Sequence, residues 1–180
     1  MTLRAFLLVT VAVGWWRLPA AFGHGTGPGR RNIAIQSAIV AAIAVCMAWV
    51  SGPILDGLAV DTETFRIATG LTITALGMAR VLGWGSRPEP VDVDAGVAGS
   101  LWPVAYPVLL GPSTVLAAVS VGSDHGVFLV LIAVASAALF AVVFSFLNGG
   151  GRWSGSLVRL GGVVLILLAV ALVFDGLRDV

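Results

Sequence analysis

The chain has 180 residues, of which 58% are hydrophobic and 11% charged, and its mean hydropathy is +1.03. A soluble domain of this size carries roughly 25% charged residues, so an ordinary soluble fold is excluded and lipid is the main solvent. The net charge of +1 is spread thinly without a basic, aromatic-interleaved cluster, which excludes a nucleic-acid partner.

The chain opens with Arg4 and an apolar run from Ala5 to Trp16, followed by Pro19-Ala20-Ala21. This looks like a secretory signal, but five further apolar stretches follow, and a first membrane helix often has that look. It is read as retained.

The second stretch runs from about Ile33 to Leu55, with Ala34, Ala38, Ala41 and Ala48 as a small-residue side for packing. Pro53 and Gly57 are expected to end it. Cys46, the only cysteine, lies inside this run, where it has no disulfide or metal partner and is expected to pack as a small hydrophobe. Asp61 or Thr62 caps the third helix, Glu63 suits its first turn, and the helix is expected from Phe65 to Trp84.

Residues 85–96 form the one polar, proline-rich linker, dividing the chain into 1–84 and 97–180. The fourth stretch, Val97 to Val121, is interrupted by Pro103, Pro107, Gly111 and Pro112, so a straight helix is not expected there. The fifth runs from Val127 to Leu147 and the sixth from Leu157 to Phe174, ending at Asp175-Gly176. At about 20 residues per crossing, six spans use most of the chain.

Connections one, three and five carry Arg30, Arg31, Arg87 and Arg152, with Arg80 and Arg159 at adjoining helix ends. The positive-inside rule makes these connections cytoplasmic and puts both termini outside.

Two segments share the pattern P-x-x-x-G-x-x-T: Pro19 to Thr26 and Pro107 to Thr114. The third and sixth helices also open alike, at Phe65-Arg66-Ile67-Ala68-Thr69-Gly70 and Val158-Arg159-Leu160-Gly161-Gly162. Each half has three spans, an odd number, so a duplicated half enters the membrane inverted. The expected fold is all-α, a polytopic membrane protein of six transmembrane helices in two inverted three-helix repeats. Helices interrupted at corresponding places in such repeats free backbone groups that bind substrate or ion. Pro107 to Thr114 is the candidate: Pro112 donates no hydrogen bond, Gly111 presents bare backbone, and Ser113 and Thr114 add hydroxyls. A half-helix starting near Ser113 directs amides at a carboxylate, while freed carbonyls suit an ammonium or sodium ion. The bland alternative is that these prolines only kink the helix.

The run Tyr106-Pro107-Val108-Leu109-Leu110-Gly111-Pro112-Ser113 resembles the P-L-L-x-G-P-G/S signature of the MarC family of bacterial inner-membrane proteins. Phe65 to Gly70 resembles that family's F-R-I-A-G-G, and Arg159-Leu160-Gly161-Gly162 through Phe174-Asp175-Gly176-Leu177 resembles its closing helix. The resemblance covers most of the chain after Arg30. It implies six helices in two inverted halves, termini outside, and kinship with the LysE-type amino-acid exporter superfamily, some members of which move small neutral amino acids. The family's first helix usually carries Asn-Pro and a second proline. Here Gly14-Trp15-Trp16-Arg17-Leu18-Pro19 stands in that place, so those binding residues do not carry over.

Arg17 reads either as a carboxylate-binding charge within the membrane or as a side chain snorkelling to the headgroups beside Trp15 and Trp16. Pro19 is the first-half counterpart of Pro107. Asp56 and Asp175 sit in similar Asp-Gly-Leu exits, where Gly57 and Gly176 are expected to cap helix ends. Thr69, Thr72 and Thr74 are expected to bond their own preceding carbonyls rather than line a path. His24 and His125 read as solvated loop residues without metal spacing.

The sequence thus points to a transporter or exporter of small neutral amino acids or similar zwitterions. The alternative is a non-transporting membrane protein with a partner or assembly role. The substrate-binding residues are expected to be Pro107, Gly111, Pro112, Ser113, Thr114, Arg17 and Pro19. The expected partners are the substrate, a coupling ion where transport is coupled, the bilayer and, where it self-associates, further copies of the chain. No enzymatic motif, metal or cofactor is expected.

Overall fold

In lipid a backbone amide finds no water, so its partner must come from the chain itself. In the computed structural model, which describes residues 2–15, 30–83, 110–147 and 154–179, the backbone is accordingly helical and has no strand among those residues. The helices are α1 (Thr2–Ala12), α2 (Arg30–Trp49), α3 (Ser51–Leu58), α4 (Thr62–Val81), α5 (Pro112–His125), α6 (Val127–Leu147) and α7 (Ser154–Asp179). The linker, the P-x-x-x-G-x-x-T copy at Pro19 to Thr26, Arg17, Pro19, His24 and Pro107 lie outside the described residues.

By length and composition, Arg159–Arg178 within α7 suffices to cross a bilayer, as does the pair formed by α2 and α3 if it is one bent span. α1 and Val127–Phe140 of α6 are shorter apolar helices.

Several expected boundaries are corrected. α1 ends at Ala12, before the apolar run does, and Gly14 at φ 70° turns the chain after it. Pro53 does not end the second helix. It removes one amide from the ladder and bends the chain by 47° between α2 and α3, and Ser51 Oγ covers the Ala48 carbonyl at 2.7 Å. α3 then ends at Ala59 (φ 52°), with the Ala59 amide on Asp56 O and the Val60 amide on Leu55 O, the left-handed closure usually given to glycine. Gly57 therefore lies inside α3 and caps nothing. α4 stops at Val81 rather than Trp84, and α7 runs through Asp175-Gly176 to Asp179.

Among the described helices, α4 and α7 share the most extensive contact, and they run antiparallel. A Cβ added to Gly70 would stand 2.5 Å from Val173 Cγ2 and 2.8 Å from the Ala169 carbonyl, and one added to Gly77 would stand 3.1 Å from the Gly162 carbonyl. Gly176, expected as a cap, instead lets α7 approach Ile67 and the Glu63 carbonyl. On α7 the small residues Gly162, Ala169 and Gly176 recur every seven residues, facing Gly70 and Gly77 at the same interval. That seam matches left-handed packing with backbones in near contact. The contacts have a local two-fold pattern: Gly70 meets Ala169 and Val173, while Gly162 meets Gly77 and Val81.

The rest of the core follows the same logic. α1 buries Ala5, Leu8, Val9 and Ala12 among α5, α6 and α7, and Thr10 bonds back to Phe6 O at 2.8 Å and across to Ala133 O at 3.3 Å. On α2 the buried stripe is Val40, Ala44 and Ala48, not Ala38, which is exposed. Cys46 is likewise exposed rather than packed. Large apolar side chains such as Trp49, Phe128, Leu139, Leu167 and Phe174 face outward. With lipid tails as apolar as the side chains, small residues bring helices together and large ones meet the solvent.

Gly70→Ala is expected to lower thermal stability in detergent by about 1–3 kcal/mol, because its Cβ meets backbone that cannot give way. Gly57→Ala, with nothing within 4 Å, should leave stability unchanged or raise it by up to about 1 kcal/mol. Melting curves of the two variants compare them directly.

Candidate functional site

A helix ends with carbonyls that have no intrahelical donor and begins with amides that have no acceptor. α1 ends at Ala12 and α5 begins at Pro112, and the fold sets one end against the other. The fully buried hydroxyls of Ser113 and Thr114 both donate to the Ala12 carbonyl, at 3.3 and 2.9 Å. Pro112 occupies the first helical position, where its missing amide costs nothing, and Gly111 precedes it in extended conformation. The Gly111 carbonyl accepts the Thr114 amide at 2.9 Å.

Arg80 completes the junction. It lies in the last turn of α4, where a cation complements the helix dipole, and its Nη2 donates to Ser113 Oγ at 3.0 Å. α4 runs antiparallel to α5, with Arg66 at the Asp124 end and Arg80 at the Ser113 end. On α2, Ala48 packs on Gly122, and Gln36 and Ser37 are buried.

Of the residues expected from sequence, Gly111, Pro112, Ser113 and Thr114 lie together at the break, and Pro107, Arg17 and Pro19 fall outside the described residues. The structure adds Arg80 and the Ala12 carbonyl. Arg80 carried only a topological meaning in the sequence, and a carbonyl made available by Gly14 has no side-chain signature. Thr72 and Thr74 bond Ala68 O and Gly70 O, each at 2.8 Å, as expected for threonines in a membrane helix. Thr69 Oγ1 is buried without a partner among the described residues.

A second polar cluster closes the opposite end of α5. Arg66 Nε donates to Asp124 Oδ2 at 2.9 Å, with both side chains largely buried at 13% and 8% exposure. Beside it Arg4 and Asp175 approach to 3.6 Å, at 65% and 23% exposure. These four, with Ala5, Leu8, Leu168, Leu172 and His125, line a pocket of ≈ 40 Å³, room for a water or an ion. His125 is thus part of a half-buried helix end rather than a solvated loop.

The family profile described as MarC family integral membrane protein matches residues 23–180 of this chain. The chain is 29% identical over 171 residues to a UPF0056 membrane protein of Archaeoglobus fulgidus, covering 83% of this chain and 78% of that one. It is 23% identical over 158 residues to a UPF0056 membrane protein of Pyrococcus horikoshii, covering 81% and 76%. No solved structure matches it.

Asp124→Asn should cost about 3–5 kcal/mol, since it leaves a buried guanidinium without its carboxylate. Asp175→Asn, at the long and exposed pair, should cost no more than about 1 kcal/mol. Thermal melts of the two purified variants read the difference.

Proposed function

The chain belongs to the MarC family of integral membrane proteins, and on that premise we propose that it is a transporter of small neutral amino acids or similar zwitterionic metabolites. The observation that carries this reading is the buried meeting of two interrupted helix ends beside an arginine. The Ala12 carbonyl is an acceptor suited to an ammonium group. The start of α5, with Arg80, Ser113 and Thr114, is a donor set suited to a carboxylate. In the observed state the hydroxyls satisfy the Ala12 carbonyl directly. A substrate enters by parting them, its ammonium taking over the carbonyl and its carboxylate taking over the hydroxyls and the guanidinium.

In this reading the protein has six spans in two inverted halves, residues 1–84 and 97–180, and lies in a plasma membrane with both termini outside. The local two-fold contacts between α4 and α7 support the inversion. Rocking of one half against the other exposes the junction to each side in turn. No catalytic residue and no cofactor belong to it.

Proteoliposomes loaded with unlabelled alanine, glycine or serine should take up the labelled amino acid by saturable counterflow. Gly111→Leu should abolish the counterflow, and Arg80→Gln should reduce it at least tenfold, while Gly57→Ala should leave it unchanged. Absence of counterflow from verified folded protein overturns amino-acid transport.

A further inference from the structure

The charged pocket at the far end of α5 has no part in the junction, yet it is tied to it twice. α1 carries Arg4 at the pocket and Ala12 at the junction, eight residues or about 12 Å apart. α5 carries Asp124 at the pocket and Ser113 at the junction, eleven residues or about 16 Å apart. The half-helices whose ends meet at the junction are thus the ones that also present charge at the pocket. Both ion pairs join the N-terminal half of the chain to the C-terminal half: Arg66 on α4 to Asp124 on α5, and Arg4 on α1 to Asp175 on α7. Leu8 and Leu168 line the pocket beside these charges, and Leu8 is buried one turn inward from Arg4.

We propose that this pocket is a gate over the junction, held shut by the Arg66–Asp124 ion pair, with the Arg4–Asp175 pair as a weaker outer latch. Its purpose rests on the transporter reading. The choice of charge follows from what opening requires. An apolar seal loses its burial when it opens into water and gains nothing in return. A closed ion pair loses its Coulomb attraction on opening, but both ions regain hydration, so the closed and open states remain close in free energy. The short, buried Arg66–Asp124 contact sets the closed state. The 3.6 Å Arg4–Asp175 contact, mostly in solvent, parts first.

The test reads accessibility rather than transport, so its failure is separable from failure of the transporter reading. In nanodiscs, where both faces meet the reagent, Leu8→Cys on a Cys46→Ala background is labelled with a hydrophilic maleimide. Labelling should be slow with the native pair. It should be at least tenfold faster with Arg66→Gln/Asp124→Asn, which removes both charges and leaves neither ion unpaired. It should return to the slow rate with the exchanged pair Arg66→Asp/Asp124→Arg. A neutral pair labelled at the native rate overturns the gate, and so does an exchanged pair labelled as fast as the neutral one. If the neutral pair is not recovered folded, Arg66→Lys should raise the rate at least threefold, and an unchanged rate overturns the proposal.

Discussion

Where a helix stops inside lipid, its terminal carbonyls and amides must find each other or find side chains, because the surroundings offer neither donor nor acceptor. Two helix ends meet in the core here, that of α1 at Ala12 and that of α5 at Pro112, and the solution is mutual: hydroxyls from the start of one helix satisfy a carbonyl at the end of the other. The position of Arg80 follows, since a guanidinium beside Ser113 both caps the last turn of α4 and donates to the same cluster. The lengths of α1 and α5, fixed by these stops, then decide which charges face one another at the opposite end.

The helices are held in that arrangement by small residues. Close approach of α4 and α7 depends on Gly70, Gly77, Gly162 and Gly176, and that of α2 and α5 on Gly122 against Ala48. Since burial of apolar surface drives little association in lipid, shape and dispersion between near-touching backbones hold the pairs together. Charged side chains that bond across helices gather at the junction and the far pocket, while buried hydroxyls such as Thr10 and Ser51 bond backbone carbonyls elsewhere.

Much of this was legible in the sequence, and the parts that were not share a cause. The break at Gly111-Pro112 could be read because proline and glycine act locally, and the start of α5 at Pro112 agrees with it. The span of α6 could be read because its apolar run is bounded by glycines on both sides. The bend at Pro53 was misread as an end, since a proline in the first turn of a following helix is compatible with either outcome. Gly57 and Gly176 were misread as caps, because a glycine within a helix, in open space as Gly57 is or at a close approach as Gly176 is, has the same one-residue signature as one that ends a helix. The pairing of Arg66 with Asp124 depends on two helices fifty-eight residues apart in the chain, and no local pattern announces it.

The seam between α4 and α7 also bears on how the chain comes to be assembled. α4 is complete by Val81, yet the partner that fits its glycine face begins only at Ser154. A chain threaded into the bilayer from its N-terminus therefore carries a flat, glycine-lined helix against lipid until its last segment arrives. Through that interval the groove is a ready surface for whatever helix lies beside it, so the final segment does more than close the bundle. Its arrival covers a glycine-lined face on which two unfinished copies could otherwise pair.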